Sequence, residues 1–329
     1  MEDSFEPVQF GIISTAAINA HVLAGVASSS SVEIHAIASR TQVGADAYAA
    51  LHGIPRAHGS YEALLADPEV QAVYVPLPNS LHIEWTIMAL EAGKHVICEK
   101  PLGRRLPDVE RAFQASERAG RILTEAFMYR HHPQTVRFAE LAATEIGRLR
   151  IIRASLGGTL VGADNVRLRT DLDGGALMDV GCYCVSAARL LGGEPEVAIG
   201  RWIVGPSGVD TRFAGLLTFP DDVIATFDCG FDLAPTAVLE AIGSRGSIRA
   251  VDPFLLQSSA IELTTDGMPT QRIEVPVADS YRLEFENLAA AIRGTGVPLL
   301  GKSDAVGQAR VLEALHRSAE NSGEPVELG

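Results

Sequence analysis

Three side chains of this sequence have the chemical types needed for proton transfer. Lys100 follows Glu99 at the end of a predicted strand, and Pro101 fixes the backbone of the turn. Asp179 and Tyr183 have a spacing that puts a carboxylate and a phenol on one face of a helix. A phenol beside a lysine can exchange a proton with an alcohol or a carbonyl, and the carboxylate can orient both groups. Taken alone, each feature is more simply structural: the lysine would pair with Glu99, and the helical pair would hold its helix.

A second group of residues has the character of a phosphate-binding turn. The first predicted strand runs into Ser14, Thr15 and Ala16, which precede a predicted helix. In the G-x-G-x-x-G fingerprint of dinucleotide-binding domains the glycines would fall at Ser14, Ala16 and Asn19. Small side chains and a helix N-terminus meet the physical requirement, and the hydroxyls can also bond phosphate oxygens. An ordinary capped turn of an α/β domain is the alternative.

The end of the second predicted strand indicates which dinucleotide would bind. Ser39 and Arg40 stand where an Asp or Glu would normally bind the adenosine ribose 2′-hydroxyl of NAD. A carboxylate there would repel a 2′-phosphate, whereas a serine and an arginine would bind one. The sequence therefore predicts NADP in preference to NAD, and the alternative is that Arg40 is a solvated loop arginine.

The loops after two further predicted strands add candidate cofactor contacts. Pro76 and Asn79 follow one strand, and Glu99 and Lys100 follow the next, at the side where open α/β sheets bind ligands. Asn79 either contacts the cofactor or caps the following helix, and the sequence favours neither. We leave His82, on the first turn of that helix, out of the predicted chemistry.

The elements that must position these residues alternate between Val8 and Ala126, as in a doubly wound parallel sheet covered by helices. Predicted strands cover Val8–Ile13, Val32–Ser39, Ala72–Val75, His95–Cys98 and Ile122–Glu125. Predicted helices cover Ala17–Ala27, Gly44–Leu51, Tyr61–Leu65, Leu81–Glu91 and Asp108–Ala119, several of them followed by glycine. We therefore predict a Rossmann domain over residues 1–126.

The pattern changes after Tyr129. Helices over Gln134–Thr144 and Ala176–Leu191 flank a strand over Leu149–Leu156, and closely spaced short strands follow. Short turns between consecutive strands favour antiparallel pairing. We predict an α+β substrate domain with an open, mostly antiparallel sheet over residues 127–329, with its last helix packing back on the first domain.

Composition excludes several classes of protein. The 329 residues suffice for about two domains, and 47% hydrophobic with 21% charged residues is ordinary globular usage. A net charge of −14 repels nucleic acid and anionic membranes, so neither is an expected partner. The acidic N-terminus, the lack of a membrane-length apolar run and cysteines expected to stay reduced predict a cytoplasmic protein. No metal-ligand spacing occurs, so no metal is predicted.

With these motifs in this order, the chain resembles the glucose-fructose oxidoreductase / inositol dehydrogenase (Gfo/Idh/MocA) family along nearly its whole length. The motifs that carry the resemblance are Gly11–Ala16, Pro76–His82, Glu99–Pro101, Tyr129–Pro133 and Gly174–Tyr183. The resemblance implies that the open sheet of the second domain forms a dimer contact, in a homodimer or a dimer of dimers.

The resemblance also assigns roles to single residues. The family's catalytic lysine corresponds to Lys100 and its helix carboxylate to Asp179. The most similar branch, the trans-dihydrodiol and D-xylose dehydrogenases, uses NADP and carries Tyr where inositol dehydrogenases carry His, and Tyr183 holds that position. The phosphate turn departs from the family pattern, since no glycine stands at positions 14, 16 or 19.

These observations predict an NAD(P)-dependent oxidoreductase. It would transfer hydride between the nicotinamide and a secondary alcohol or ketone of a sugar, cyclitol or cyclic diol. Tyr183 would exchange the hydroxyl proton, Lys100 would stabilise the oxyanion, and Asp179 would align them. The proton donor, Tyr183 or Lys100, and the working direction, oxidation or reduction, stay open. The alternative is an NAD(P)-sensing regulatory protein of the same fold that performs no turnover.

Arg167 is the remaining candidate for substrate binding. With Arg169 it lies in the irregular stretch before the second-domain helix, where a guanidinium could anchor substrate hydroxyls or an acid group. Loop solvation, or pairing with Asp171 or Asp173, is the alternative.

Overall fold

A computed structural model describes residues 6–162, 164–256 and 259–328. Contacts divide the chain into two compact units. The first holds the described residues up to Gly103, then Pro107–Met128 and Asp279–Ala305; the second holds Arg104–Leu106, Tyr129–Ala278 and the described residues from Val306 onward.

The first unit contains a six-stranded sheet in which every pairing is parallel. Its strands are β1 (Val8–Ile13), β2 (Val32–Ala38), β3 (Arg56–His58), β4 (Ala72–Val75), β5 (His95–Glu99) and β6 (Leu123–Ala126). Their order is β3-β2-β1-β4-β5-β6. The strands β2 and β3 lie on one side of β1 and the strands β4, β5 and β6 on the other, so the topological switch point lies between β1 and β4. This is the doubly wound arrangement that the alternating sequence pattern predicts.

The helices of this sheet follow local signals. They are α1 (Asn19–Val26), α2 (Gln42–His52), α3 (Tyr61–Leu65), α4 (His82–Glu91) and α5 (Leu106–Ala119). The Thr41 side chain caps the N-terminus of α2 by accepting from the Gly44 N–H, and Gly53 ends the helix in the left-handed conformation. The predicted helix bounds therefore hold to within a few residues.

The sequence missed β3, and the reason is its composition. Arg56 and His58 are polar strand residues, and three residues are too few to show an alternating pattern. The strand forms because its backbone pairs in parallel with Ala36–Ala38 of β2.

Residues from far along the chain complete the core of the first unit. The eighth helix of the chain, α8 (Ser280–Ile292), contributes Phe285, whose ring centroid lies 4.9 Å from that of Phe10 and 5.4 Å from that of Tyr74. Phe285 and Leu288 are almost completely buried in this cluster. This part of the parallel sheet is thus covered by a segment that follows most of the second unit in sequence.

The second unit contains a nine-stranded mixed sheet in the order β14-β13-β12-β11-β7-β10-β9-β8-β15. Only the β7–β10 pairing is parallel among the described residues; the other pairings are antiparallel. The strands are β7 (Leu149–Thr159), β8 (Val197–Val204), β9 (Asp210–Phe219), β10 (Val223–Gly230), β11 (Asp232–Gly243), β12 (Gly246–Val251), β13 (Ala260–Thr265), β14 (Gln271–Glu274) and β15 (Val326–Glu327). The open, mostly antiparallel sheet predicted from the sequence is confirmed.

The remaining helices of the chain are α6 (Pro133–Thr144), α7 (Cys182–Gly192) and α9 (Lys302–Glu320). The turn that leads into α7 differs from the prediction. The prediction ran a regular α-helix from Ala176 to Leu191, but Leu177–Gly181 forms a π-helical turn that leads into α7. A π turn accommodates one extra residue, which apolar periodicity does not reveal.

The four cysteines, Cys98, Cys182, Cys184 and Cys229, are all free and buried. Burial, the largest cause in each case, raises the pKa of the Cys98, Cys184 and Cys229 thiols, which keeps them protonated. Over the described ranges, none of the helices has the length and apolar character needed to cross a bilayer.

Candidate active site

The predicted cofactor residues of the first unit lie at one edge of its sheet. Each follows the carboxyl end of a strand, and the four strands are neighbours in the order β2-β1-β4-β5. This is the edge at which open parallel sheets bind ligands. The residues are Ser14, Thr15 and Ala16 after β1, Ser39 and Arg40 after β2, Pro76 and Asn79 after β4, and Glu99 and Lys100 at the end of β5.

Hydrogen bonds hold the turn after β1 in an unusual conformation. Ser14 has a φ of +100°, a backbone state that glycine adopts most readily. The Asn19 side chain, itself buried, donates to the Ser14 carbonyl at 2.8 Å, and the Ser14 hydroxyl donates to the Pro76 carbonyl at 3.3 Å. The serine thus takes the conformation of the missing glycine because Asn19 and the Pro76 loop fix it.

The loop after β2 has the chemistry of a 2′-phosphate site. The Ser39 N–H donates to the His58 carbonyl at 3.0 Å, and the Arg40 side chain is exposed. Arg40 lies near the Tyr61 phenol: burial raises the pKa of Tyr61, and the arginine charge opposes that rise. No carboxylate stands at Ser39, Arg40 or Thr41 to repel a phosphate, so these residues fit NADP.

The loop after β4 is tied to the turn after β5 by His82. Its ring is buried, with Nδ1 2.9 Å from the Pro101 carbonyl oxygen and Nε2 2.7 Å from the Leu77 carbonyl oxygen. The sequence does not predict this role, because a histidine on the first turn of a helix has no local mark of its distant partners. Asn79 starts a short 3-10 helix, and the N-cap residues there are Pro78 and Leu81, neither of which caps through its side chain.

Glu99 is fixed by two hydrogen bonds beside Lys100. The Tyr74 hydroxyl donates to Glu99 Oε1 at 2.7 Å, and the Lys100 backbone N–H donates to Glu99 Oε2 at 3.3 Å. The Lys100–Pro101 peptide is cis, and the Lys100 side chain is half-buried. The Glu99 carboxylate thus accepts from both the Tyr74 hydroxyl and the backbone of Lys100 at this sheet edge.

A buried acid lies close to this carboxylate. Glu284 of α8 is 2% exposed, and burial together with the charge of Glu99 raises its pKa well above the usual range. Burial, and after it the charges of Glu99 and Glu284, raises the pKa of Tyr281 as well. Burial and the charge of Glu99 thus favour the neutral, protonated form of Glu284, a residue that the sequence alone does not predict for this site.

The second unit holds the remaining predicted residues. Asp179 lies in the π-helical turn, and its Oδ2 accepts from Arg167 Nε at 2.7 Å. Arg169 pairs with Asp171, as one alternative expected, but Arg167 pairs with the carboxylate that was predicted to align the catalytic groups. The side chains of Asp179 and Arg167 are 18% and 46% exposed, so the pair can be reached from solvent.

Tyr183 sits among aromatic rings on α7. Its ring centroid lies 5.7 Å from that of Tyr129 and 5.8 Å from that of Phe254. The Tyr129 hydroxyl donates to Ser186 Oγ at 2.8 Å, which fixes the ring beside Tyr183. Aromatic packing of this kind restricts the rotation of a half-buried phenol and so defines where its hydroxyl points.

Of the two histidines that follow Tyr129, His132 has a structural role. His132 is buried and caps α6, since its Nδ1 accepts from the Gln134 N–H at 3.0 Å and Pro133 holds the first helical position. Burial lowers the pKa of His131 to about 4, so it is neutral at physiological pH. Among the residues that the structure describes, no group of three or more His, Cys, Asp or Glu side chains could hold a metal ion.

Comparison with known proteins gives a consistent picture. A family model described as "Oxidoreductase family, NAD-binding Rossmann fold" matches residues 8–127, and one for the GFO/IDH/MocA C-terminal domain matches residues 139–249. A D-xylose 1-dehydrogenase (NADP(+)) from Haloferax volcanii is 41% identical, with 98% of this chain and 100% of the relative covered. A trans-1,2-dihydrobenzene-1,2-diol dehydrogenase from Danio rerio is 31% identical over 76% of this chain and 73% of its own.

Solved structures agree with these relatives. A 3-ketoreductase from Actinomadura kijaniata, solved with NADP and TDP-benzene, superposes with a TM-score of 0.88 at 30% identity, covering 95% of this chain and 98% of its own. An aldose-aldose oxidoreductase from Caulobacter crescentus gives a TM-score of 0.90 at 26% identity, with coverage of 98% and 99%. The resemblance and the enzyme class expected from the sequence are confirmed, and the chain belongs to the Gfo/Idh/MocA family of nicotinamide-dependent oxidoreductases.

Proposed function

We propose that this protein is an NADP-dependent dehydrogenase or reductase acting on a secondary alcohol or ketone of a sugar, cyclitol or cyclic diol. The observation that carries the proposal is Lys100, a half-buried lysine at the carboxyl end of a central parallel strand, on a backbone fixed by Glu99 and Pro101. Relatives named as a D-xylose dehydrogenase, a dihydrodiol dehydrogenase and a 3-ketoreductase support the substrate class.

The cofactor preference rests on the loop after β2. Arg40 and Ser39 would bind the 2′-phosphate, and Ser14, Thr15 and Ala16 would bind the pyrophosphate. Pro76, Asn79 and Glu99 would line the same edge. NADP, when bound, accepts or supplies the hydride. NAD is the second choice, since it differs from NADP only in lacking the 2′-phosphate.

The protein's own residues would handle the proton. Tyr183 would exchange the substrate hydroxyl proton, and Lys100 would stabilise negative charge on the substrate oxygen. Asp179, held by Arg167, would fix the local geometry and charge around Tyr183. Arg167 would also contact substrate hydroxyls, because its guanidinium retains donors beyond the Nε used by Asp179.

A substrate panel tests this function. The purified protein is incubated with NADP⁺ or NAD⁺ and a set of aldoses, cyclitols and cyclic diols, and with NADPH and keto-sugars, while the absorbance of the reduced nicotinamide is followed. We expect turnover with at least one substrate and a lower KM for NADP⁺ than for NAD⁺. Tight NADP binding without turnover across the panel would instead indicate a regulatory protein that senses the nucleotide.

We infer further that two copies associate through the open sheet of the second unit. Along β10 the side chains alternate between buried and exposed, which leaves Ile224, Thr226 and Asp228 on an uncovered face. This face carries a shallow groove that also includes Arg153 and Arg201. Light scattering should give the mass of a dimer, and Thr226→Arg should shift it towards the monomer; a monomeric wild type would refute the inference.

The expected location is the cytoplasm. Four buried, free cysteines suit a reducing compartment, where no disulfide is required for stability. Fractionation of cells that express the tagged full-length chain would test this, and recovery outside the cytoplasm would contradict it.

A further inference from the structure

Asp210, at the start of β9, is a buried carboxylate that the proposed chemistry does not use. The residue is only 4% exposed, and its Oδ2 accepts from the Leu177 N–H at 2.7 Å. The Ala176 N–H and its own backbone N–H also bond this carboxylate. The main-chain N–H groups of Ala176, Leu177 and Asp210 therefore converge on one carboxylate, which comes from β9.

These donors belong to the beginning of the helix that carries Asp179 and Tyr183. The first turn of a helix leaves N–H groups without intrahelical partners. Ala176, the N-cap residue of the π-helical turn, makes no side-chain cap, and the preceding Gly175 has no side chain to offer. The cap is supplied from β9 instead, by Asp210.

The glycine before the turn is shaped to receive this acid. Gly175 has a φ of +127°, and a Cβ added there would lie 2.0 Å from Asp210 Oδ1. A side chain at position 175 would thus displace the carboxylate and strain the backbone. The close fit of Asp210 therefore requires a glycine at position 175.

The capped turn determines where the proposed catalytic groups project. The Asp179 N–H donates to the Gly175 carbonyl at 3.0 Å, so the turn that holds Asp179 starts from the residue that packs against Asp210. Tyr183 follows within the next turn of α7. A change in the first turn would rotate both side chains, and displacements of about 1 Å can cost on the order of 10²-fold in rate.

We propose that Asp210 is a positioning residue of the active site, which caps the π-helical turn and thereby sets the orientation of Asp179 and Tyr183. This inference rests on the proposed function for its catalytic consequence, whereas the capping role concerns the second unit alone.

The surroundings of Asp210 make its action sensitive to pH. Burial raises the pKa of this carboxyl to about 7, although its three backbone hydrogen bonds oppose the rise. On β10, the Cys229 thiol has a raised pKa because of burial, then Cys184, then Asp210 itself. Asp210 therefore changes its charge near neutral pH, and the ionised form accepts the backbone N–H bonds more strongly.

The test compares Asp210→Asn with Asp266→Asn. Asp266 lies in the turn that follows β13, and four strands separate β13 from β9, so this control makes the same change of residue type outside the helix cap and outside the proposed dimer face. With a substrate from the panel, we expect D210N to lower kcat by about tenfold or more and to flatten the change in kcat between about pH 6 and 8. The NADP dissociation constant should stay within about twofold of the wild type, since the nucleotide-binding turn lies in the first unit.

Two measurements keep the outcome decisive. If D210N matches D266N in kcat, KM and pH profile, the positioning role is wrong. If D210N fails to fold, the wild type itself gives the answer: in ¹⁵N-leucine-labelled protein, with the signal assigned by Leu177→Met, the Leu177 amide should be protected from hydrogen exchange by its bond to Asp210, and exchange at the rate of an exposed amide would overturn the proposal. A wild type without turnover would count against the proposed function alone, because the exchange measurement needs no substrate.

Discussion

The Arg167 Nε atom lies 2.7 Å from Asp179 Oδ2, so two residues predicted for different tasks form one ion pair. The arginine was assigned to substrate and the carboxylate to alignment of the catalytic groups. Because the pair is partly exposed, its direct contribution to stability is small. Its main consequence is local: the Asp179 carboxylate is held by a hydrogen bond, and the Arg167 guanidinium keeps N–H donors beyond the Nε that this pair uses.

Arg167→Met is expected to raise the substrate KM and lower kcat together, with about a tenfold loss in kcat/KM, because both substrate donors and the restraint on Asp179 are lost. Steady-state kinetics with a substrate from the panel would measure this loss in kcat/KM. The control is Arg169→Met, which removes the neighbouring Arg169–Asp171 pair. Equal losses in the two variants would mean that loop charge, not the Asp179 contact, is responsible.

Tyr183→Phe should reduce kcat by on the order of 10²-fold while NADP binding is unchanged, since only the proton-exchanging hydroxyl is removed and the ring keeps its contacts with Tyr129 and Phe254. Fluorescence titration gives the NADP dissociation constant alongside the kinetics. Near-normal turnover in this variant would mean that Lys100, not Tyr183, exchanges the proton.

Arg40→Ala should raise the KM for NADP⁺ by about tenfold or more and leave the KM for NAD⁺ almost unchanged, because only NADP carries the phosphate that Arg40 would bind. Ser39→Asp should act in the same direction by repelling that phosphate. The control Arg111→Ala removes an exposed arginine paired with Asp108 on α5. A parallel loss of both cofactors in R40A would indicate a damaged loop rather than a phosphate contact.

Glu284→Gln should stabilise the protein at neutral pH. The pKa of Glu284 is raised in the folded state, so the wild type loses stability as the pH rises above the pKa that this glutamate has in the unfolded chain. Glutamine does not titrate, so the variant has no such loss. The gain in unfolding free energy should be near zero at about pH 4, grow with pH, and reach on the order of 1 kcal/mol at neutral pH. Urea unfolding at several pH values measures it.

Glu286→Gln is the matched control for that experiment. Glu286 lies on the same helix and accepts from the Ser29 hydroxyl at 2.8 Å, so its carboxylate has a partner that Glu284 Oε1 lacks. We expect no stabilisation from E286Q. A gain in E284Q that is the same at every pH would show that packing, not ionisation, accounts for the difference.

Local signals were sufficient to predict much of the fold. β1 and β4 are short buried strands bounded by turns, and α2 is marked by Thr41 at one end and Gly53 at the other, so each could be located without tertiary information. The residues at the strand ends followed from the fold class, because parallel strands place their carboxyl ends at one edge.

The features that the sequence did not reveal depend on distant partners. Asp210 gains its role from main-chain groups at Ala176 and Leu177, and neither its type nor its neighbours indicate a helix cap. His82 resembles any helical histidine until its ring is seen between two carbonyl oxygens. The π-helical turn packs against β10, a strand distant in sequence, whereas the residues at its start have ordinary helical character and do not mark it.

The docking of α8 on the parallel sheet has a consequence for biosynthesis. A ribosome releases all six strands of the Rossmann fold before it has made Phe285 and Leu288, which fill the space beside Phe10 and Tyr74. Until then the nascent nucleotide domain exposes the apolar side chains that Phe285 and Leu288 later cover, and exposed apolar surface favours aggregation. The cofactor domain is therefore encoded discontinuously, and it reaches its mature form only when nearly the entire polypeptide has been translated.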